Sequence, residues 1–160
     1  MSDLRVGLGV DAHAFAEGMP LVLGGVTFDF PRGLAGHSDG DVIVHALIDA
    51  MLGAAALGDI GSLFPSTEET PRGIASLELL RDAVERVGAE GFELVNADCV
   101  LVGQEPRIAH RRREMEERLS TVVGEQVTVH ATTTDGLGFT GRGEGLAAQA
   151  IALLRRHDGL

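Results

Sequence analysis

The stretch Arg5–His13, RVGLGVDAH, decides how the chain begins to fold. Valine and leucine alternate with glycine up to Val10, which predicts a β-strand. Asp11 and His13 follow two residues apart, and in an extended chain side chains at that spacing leave the same face. The stretch therefore predicts a strand followed by two neighbouring candidate metal ligands. By itself, such a triplet more often marks an exposed aspartate beside a hydrogen-bonded histidine.

A third candidate ligand, His45, lies in the next strongly patterned segment. Helical spacing and many alanines predict a helix from Asp39 to Leu57, ended by Gly58, and its small residues favour close packing. Asp41 and Asp49 lie one turn to either side of His45, so one helical face would hold all three. Three oxygen and nitrogen ligands leave a position open, as in a catalytic zinc site. The alternative is that Asp41 interacts with the helix dipole and Asp49 is solvated.

The remaining periodicity extends this alternation of strands and helices. Strands are predicted over 21–28, 93–102 and 126–134, and helices over 74–87, 107–122 and 144–156. This order predicts an α+β fold, an αβ sandwich in which a mixed β-sheet carries helices on one face. We expect residues 1–160 to form a single domain, since 160 residues is near the usual domain size.

Composition excludes several classes of function. The formal net charge is −11 and all 13 positive residues are arginine, which disfavours nucleic-acid binding and excludes Schiff-base lysine chemistry and a P-loop. No apolar run is long enough for a membrane span, and no secretory signal is apparent. The single cysteine, Cys99, lies in an apolar setting and is expected to be buried. We therefore expect a cytoplasmic protein with no nucleic-acid or membrane partner.

Two polar segments add further candidates. HSDGD, residues 37–41, places an imidazole, a hydroxyl and two carboxylates before the first helix; Ser38 or Asp39 is expected to be its N-cap. Thr132 to Asp135 ends a predicted strand before a glycine-containing turn, where hydroxyls, backbone N–H groups and a carboxylate could hold a diphosphate with Mg²⁺. The alternative for the threonines is simple β-propensity. The arginines at 111–113 and His110 and His130 read as surface or structural residues.

Five phrases of the sequence together carry a family resemblance. They are DAH (11–13), GHSDGD (36–41), GAAALGDIG (53–61), LFP (63–65) and ATTTDGLGFTGRGEG (131–145). In this order they resemble the cyclodiphosphate synthases of the non-mevalonate (MEP) isoprenoid pathway. The resemblance runs from about Arg5 to Leu154.

The resemblance implies an enzyme, its cofactors and its assembly. It implies Zn²⁺ bound by Asp11, His13 and His45, and Mg²⁺ or Mn²⁺ at the substrate diphosphate with Asp135 as protein ligand. It implies a lyase that converts 4-diphosphocytidyl-2-C-methyl-D-erythritol 2-phosphate to 2-C-methyl-D-erythritol 2,4-cyclodiphosphate and CMP. The substrate's own 2-phosphate would attack its β-phosphate. The expected assembly is a homotrimer with active sites between protomers.

Other residues take roles only through this resemblance. His37 and Thr133 match positions that stabilise the transition state, and Asp59 matches one that holds an erythritol hydroxyl. Phe139 and Arg142, with Glu144, match residues lining a central cavity that in relatives can accept isoprenoid diphosphates. The other substrate-binding positions implied are Ser38, Gly61, Phe64, Pro65, Ser66, Gly103, Pro106, Ile108, Ala131, Thr132 and Thr134.

The chain departs from the family pattern at three positions. Ser66 stands where the family usually has aspartate, and Asp135 and Gly136 stand where it usually has glutamate and lysine. Two other functions fit the same residues. A zinc-dependent phosphohydrolase would use hydroxide in place of the internal phosphate, and a non-catalytic isoprenoid-diphosphate-binding trimer would need a closed, four-ligand structural zinc site.

Overall fold

A computed structural model describes residues 3–36, 38–65 and 75–157. The strands are β1 (Leu4–Glu17), β2 (Leu21–Leu23), β3 (Val26–Phe28), β4 (Arg32–Leu34), β5 (Phe92–Val102), β6 (Val127–Thr132) and β7 (Gly145–Arg156). The helices are α1 (Val42–Ala54), α2 (Ile60–Leu63), α3 (Ser76–Ala89), α4 (Arg112–Val123) and α5 (Gly138–Gly141), with one 3-10 turn at Ala109–Arg111.

A five-stranded mixed sheet organises the chain, in the order β4-β1-β7-β5-β6. Strand β7 pairs antiparallel with β1 on one side and with β5 on the other, while β5 and β6 are parallel and joined through α4. Strands β2 and β3 form a separate hairpin. The mixed sheet with helices on one face confirms the predicted α+β fold.

Helix α1 lies directly on the backbone of β1. A β-carbon added at Gly7 would overlap the carbonyl oxygen of Ala50, and one added at Gly9 would overlap that of Ala46. Glycine at both strand positions therefore permits a closer approach than any side chain would. The helix is buried along almost its whole length, and it places His45 next to the continuation of β1.

The prediction of a closing helix over 144–156 is wrong, because Gly145–Arg156 is the central strand β7. Its alanines and leucines favour a helix by intrinsic propensity. The burial alternates, however, and the buried positions Leu146, Ala148, Ala150, Ala152 and Leu154 all face the helices. Two flanking strands supply hydrogen bonds along β7, so pairing and packing override the local preference.

Two other local predictions need correction. The single strand expected over 21–28 is the β2–β3 hairpin, because Gly24 and Gly25 both have positive φ and reverse the chain between two three-residue strands. The strand that was to end near Val10 continues to Glu17, so Asp11 and His13 lie within β1. The strand predicted over 126–134 is shorter, Val127–Thr132, and residue 74 of the helix predicted over 74–87 lies outside the described residues.

The N-cap of α1 is Asp41, and the predicted cap at Ser38 or Asp39 is wrong. The Asp41 carboxylate accepts hydrogen bonds from the backbone N–H groups of Gly24, Gly25 and Val44, at 2.9, 2.7 and 3.2 Å. It is fully buried, and burial together with Asp39 raises its pKa to about 6. One carboxylate therefore both starts the helix and anchors the β2–β3 hairpin to it.

The helix-free face of the sheet carries an exposed apolar row. Val6, Leu8 and Val10 of β1 remain 72, 62 and 56 % exposed, and Ile151, which pairs with Leu8, is 53 % exposed. A contiguous apolar surface of this kind marks a contact face in many proteins. Among the described residues, no helix is both long and apolar enough to cross a membrane.

The glycine contact under α1 gives a first test. Gly9→Ala should destabilise the protein by about 1–3 kcal/mol, because the new methyl group meets the Ala46 carbonyl with no room to move. Gly53→Ala is the matched control: it lies on α1 with open space around it, and alanine should be neutral or add up to about 1 kcal/mol there. Urea unfolding of both variants measures the difference, and an equal effect at the two sites would contradict the close contact.

Candidate active site

Asp11, His13 and His45 bring three ligand atoms together between β1 and α1. His13 Nε2 lies 2.8 Å and His45 Nδ1 3.1 Å from Asp11 Oδ2, and the two nitrogens are 3.3 Å apart. Alternation along β1 turns Asp11 and His13 toward the helix, and the Gly9 contact places His45 opposite them. Among the described residues, these three form a group whose ligand atoms lie close enough together to hold a metal ion.

The size of this triangle fits a tetrahedral zinc ion. Bond lengths of about 2.0–2.2 Å give ligand-to-ligand edges of about 3.3–3.6 Å in a tetrahedron. The observed edges are 2.8, 3.1 and 3.3 Å. An ion of that radius needs only a small outward movement of Asp11, and a fourth position remains for an outside ligand. Zinc therefore fits the residues present.

Charge favours a cation at this point. Burial alone would raise the pKa of Asp11, but its hydrogen bonds to His13 and His45 outweigh burial and lower that pKa to about 2. The pKa of His13 is raised, first by its hydrogen bond to Asp11. The Asp11 carboxylate is thus an anion held against two imidazoles, and a metal ion can replace their protons as its counter-charge.

The two aspartates one turn from His45 do not join this cluster. Asp41 is taken up by three backbone N–H groups, and Asp49 Oδ1 accepts the Ile60 N–H at 2.7 Å, which ties α1 to α2. Burial raises the pKa of Asp49. Asp41 lies at the N-terminus of α1, as the helix-dipole alternative expected, whereas Asp49 is half-buried and bonded to α2 rather than solvated. The other two candidate ligands come from β1.

A second group of predicted site residues lies at the end of β6. The Thr133 hydroxyl donates to Asp135 Oδ1 at 3.1 Å, and Thr132, Thr133 and Asp135 are all exposed. The Thr134 hydroxyl turns inward, to the Leu137 carbonyl at 2.6 Å and Thr140 at 3.1 Å, where it holds the turn before α5. Thr132, Thr133 and Asp135 are therefore available to a ligand, whereas the Thr134 side chain is occupied.

A cleft of about 300 Å³ opens beside these threonines. The predicted nucleotide-binding positions Gly103, Pro106, Ile108, Ala131, Thr132 and Thr133 all line it. Arg107, Arg112 and His130 line it as well. The sequence analysis assigned Arg112 and His130 to the surface or to structural roles. It did not predict that they line the cleft, because that depends on how α4 packs beside β6 and leaves no pattern in the sequence. Gln104 Oε1 is buried at the cleft without a hydrogen-bond partner among the described residues.

The metal triad and this cleft are far apart within one chain. Strand registers place Ala12, Ala147, Val102 and Thr132 in one row across the sheet. Three strand spacings of about 4.8 Å therefore separate Ala12 from Thr132, or about 14 Å. The side chains of Asp11 and His13 also point to the helical face, away from the exposed Thr132. A diphosphate cannot contact both groups of one chain.

The other predicted site residues lie near α1 and α2 or outside the described residues. Asp59 caps α2 and accepts the Ser62 N–H at 2.8 Å, while Gly61 and Pro65 are exposed and Phe64 is half-buried. Ser38 is buried, with its hydroxyl 2.8 Å from His45 Nε2. His37 and Ser66 lie outside the described residues.

The predicted central-cavity residues cluster around α5. Phe139 is 44 % exposed, and Arg142 Nε donates to Glu144 Oε2 at 2.7 Å. Arg142 also lines a cleft of about 410 Å³ together with Arg32 and Arg107. These three guanidinium groups share the cleft with the Glu105 carboxylate, and one of them, Arg142, is already paired with Glu144.

Comparison with known proteins identifies relatives over nearly the whole chain. The model of the YgbB family matches residues 4–155. The 2-C-methyl-D-erythritol 2,4-cyclodiphosphate synthase of Moorella thermoacetica is 53 % identical over 154 residues, covering 94 % of each chain.

Solved structures agree with the sequence matches. A 2C-methyl-D-erythritol-2,4-cyclodiphosphate synthase in a CDP-bound form is 38 % identical with a TM-score of 0.85, covering 94 % of this chain and 99 % of its own. The bifunctional IspDF of Campylobacter jejuni is 40 % identical with a TM-score of 0.94 and covers 99 % of this chain, which spans 44 % of that longer protein.

A zinc site formed by Asp11, His13 and His45 predicts that zinc affinity depends on the His45 side chain. His45→Ala should weaken zinc binding at least roughly 100-fold, or ~3 kcal/mol, because one of three protein ligands is lost. Chelator competition measures the affinity, and circular dichroism checks that the fold persists. His157→Ala, an exposed histidine remote from the triad, is the control and should bind zinc normally. Equal zinc affinity in both variants would remove His45 from the site.

Proposed function

The chain belongs to the YgbB family, whose matched relatives are 2-C-methyl-D-erythritol 2,4-cyclodiphosphate synthases, and on this premise we propose that it is a cyclising, CMP-releasing lyase. The substrate is 4-diphosphocytidyl-2-C-methyl-D-erythritol 2-phosphate, and the products are 2-C-methyl-D-erythritol 2,4-cyclodiphosphate and CMP. The observation that carries the proposal is the convergence of Asp11, His13 and His45 with a fourth position open. We take residues 1–160 as one catalytic domain in the cytoplasm, where the buried Cys99 remains a thiol.

The reaction is an internal phosphoryl transfer. An oxygen of the 2-phosphate forms a bond to the β-phosphorus, and the bond from that phosphorus to the bridging oxygen breaks. The bridging oxygen leaves with the electron pair as part of CMP, and the ring closes. Such a reaction needs positioning and charge neutralisation more than covalent help from the protein. The absence of lysine from the chain is therefore no obstacle.

Different residues would neutralise charge on the substrate diphosphate in different ways. Asp11, His13 and His45 would hold Zn²⁺, and Asp135 would hold Mg²⁺ or Mn²⁺; these ions supply Lewis-acid charge at the diphosphate oxygens. The Thr133 hydroxyl donates to Asp135 Oδ1, and with Asp135 engaged by the ion its proton would be free to go to a phosphate oxygen. His37 is assigned to the transition state by the family pattern alone. Ser66, also outside the described residues, takes its substrate-binding role from the same pattern.

The cleft beside β6 is the proposed cytidine site. Gly103, Pro106, Ile108 and Ala131 line it, and recognition through their backbone groups would suit a chain that has no tryptophan or tyrosine. Arg107 and Arg112 add positive charge at its rim. The unpartnered Gln104 side chain is a further group that a base can satisfy. Phosphates leaving this cleft would pass the Thr132–Asp135 segment.

A homotrimer would bring the two halves of the site together. Within one chain the triad and Thr132 are about 14 Å apart along a row of the sheet, so a neighbouring protomer has to supply one of them. The exposed row of Val6, Leu8, Val10 and Ile151 gives each protomer an apolar face to bury. Packing three such faces around an axis would also create the central cavity, with Phe139, Arg142 and Glu144 available to an isoprenoid diphosphate.

Product analysis tests the reaction. Zinc-loaded protein with Mg²⁺ or Mn²⁺ should convert the cytidylyl substrate to CMP and an equimolar cyclic diphosphate, observed by phosphorus NMR and mass spectrometry. Asp135→Asn keeps the shape of the side chain but removes its charge, and turnover should fall at least about tenfold. An open-chain bisphosphate product would instead indicate a phosphohydrolase, and untouched substrate with both metals would indicate a binding protein.

The assembly has a separate test. Leu8→Glu places a charge in the centre of the apolar row and should convert the trimer to a monomer of 16.8 kDa, measured by light scattering after size exclusion. Activity should be lost with the trimer. Arg81→Glu, on the exposed surface of α3, is the control and should leave the mass of the assembly unchanged. A wild-type protein that is already monomeric and active would contradict the shared site.

A further inference from the structure

We propose that Ser76 and Asp39 are positioning residues that decide which nitrogen of the neutral His45 ring carries the proton. They place it on Nε2, so that the Nδ1 lone pair points at the metal position. Neither residue carries a function through the family resemblance, and neither touches the ligand triangle. The inference rests on the metal centre of the proposed function. It concerns how the protein prepares one of the three ligands.

The two ring nitrogens of His45 face different surroundings. Nδ1 faces Asp11 Oδ2 at 3.1 Å and His13 Nε2 at 3.3 Å, which is the ligand side. Nε2 faces the Ser76 hydroxyl at 3.1 Å and the Ser38 hydroxyl at 2.8 Å. A neutral imidazole has one N–H and one lone pair, so the groups around Nε2 decide which nitrogen can bind a metal.

Asp39 determines the direction of the hydrogen bond at Ser76. Its Oδ1 accepts the Ser76 hydroxyl and also the Asp41 N–H at 3.1 Å, and its Oδ2 accepts the Ser76 N–H at 3.0 Å. An ionised carboxylate only accepts hydrogen bonds. The one proton of the Ser76 hydroxyl therefore goes to Asp39, and the serine oxygen is left to accept a proton from His45 Nε2. The Nδ1 lone pair then points at the metal.

Burial protects this hydrogen-bond arrangement from competition by water. Ser76 is fully buried, His45 is 8 % exposed and Ser38 is 9 % exposed, so water does not compete freely for these groups. The Ser38 oxygen accepts the Gly40 N–H at 3.3 Å and lies 3.3 Å from Ser76 Oγ, so the Ser38 proton can go to the Ser76 oxygen and leave Ser38 as a second acceptor for Nε2. Outer partners of this kind commonly tune metal affinity by roughly 10–100-fold.

The hydrogen bonds that join Asp39, Ser76 and His45 also connect the candidate metal site to α3. Ser76 is the first residue of that helix, and Ala75 before it provides no side-chain cap. Asp39, from the segment before α1, accepts the first N–H group of α3 in place of a local cap. A purely structural role for Ser76 would be to pin α3 in position, so the experiment has to separate zinc affinity from stability.

Zinc affinity of the apoprotein, measured by chelator competition, is the decisive measurement. Ser76→Ala removes the acceptor for Nε2 but keeps the backbone bond to Asp39, and zinc should bind roughly 10–100-fold more weakly. Ser76→Thr restores the hydroxyl and should return affinity to within about threefold of wild type. Nitrogen-15 NMR of apo His45 with a neutral ring should show the Nε2–H tautomer in wild type and a mixture in Ser76→Ala.

A matched control and a second variant keep the outcomes distinct. Ser120→Ala removes a hydroxyl that accepts the Val127 N–H at 3.0 Å, so it should lower stability but leave zinc affinity unchanged. Should Ser76→Ala fail to fold, Asp39→Asn decides, with the same expected loss of affinity. Wild-type affinity in the folded Ser76 or Asp39 variant would overturn this positioning role. A wild-type protein that binds no zinc would instead overturn the metal centre itself.

Discussion

Helix α1 can rest on the backbone of β1 only because glycine occupies the two strand positions beneath it. Gly7 and Gly9 face the carbonyl oxygens of Ala50 and Ala46, and a methyl group at either position would hold the helix away. The candidate metal centre depends on this contact. Asp11 and His13 continue the same face of the strand, and His45 is one residue from Ala46, so the helix height fixes the ligand distances of 2.8–3.3 Å.

One buried carboxylate, Asp41, and two half-buried ones, Asp39 and Asp49, connect the segments around that contact. Asp41 holds the β2–β3 hairpin and starts α1, Asp49 holds the start of α2, and Asp39 holds the start of α3. Each accepts backbone N–H groups, the arrangement that makes a buried carboxylate tolerable. Asp41 and Asp49, which helical spacing placed beside His45, thus act as connectors and leave the candidate ligand role to Asp11.

The division of the site across the sheet links catalysis to assembly. The triad lies on the helical side near β1, while the cleft and Thr132–Asp135 lie at the far edge near β6. The same face that lacks helices exposes the apolar row of β1 and β7. In the proposed trimer, one set of contacts would both unite the two candidate halves of the site and bury the apolar row.

Sequence alone determined the α+β class, the family and the candidate ligands Asp11, His13 and His45, because these depend on local alternation and on short phrases with fixed residue types. Strand spacing put Asp11 and His13 on one face, and helical spacing placed His45 on a helix of small residues.

Tertiary structure decided the rest. Gly145–Arg156 became the central strand because β1 and β5 both pair with it, against the helical preference of its alanines. Asp41 became a cap, and Arg112 and His130 reached the cleft. The Asp39–Ser76–His45 contacts join residues up to 37 positions apart, and no local pattern encodes them. Periodicity records which face of an element a residue occupies, whereas its partner depends on how the elements pack.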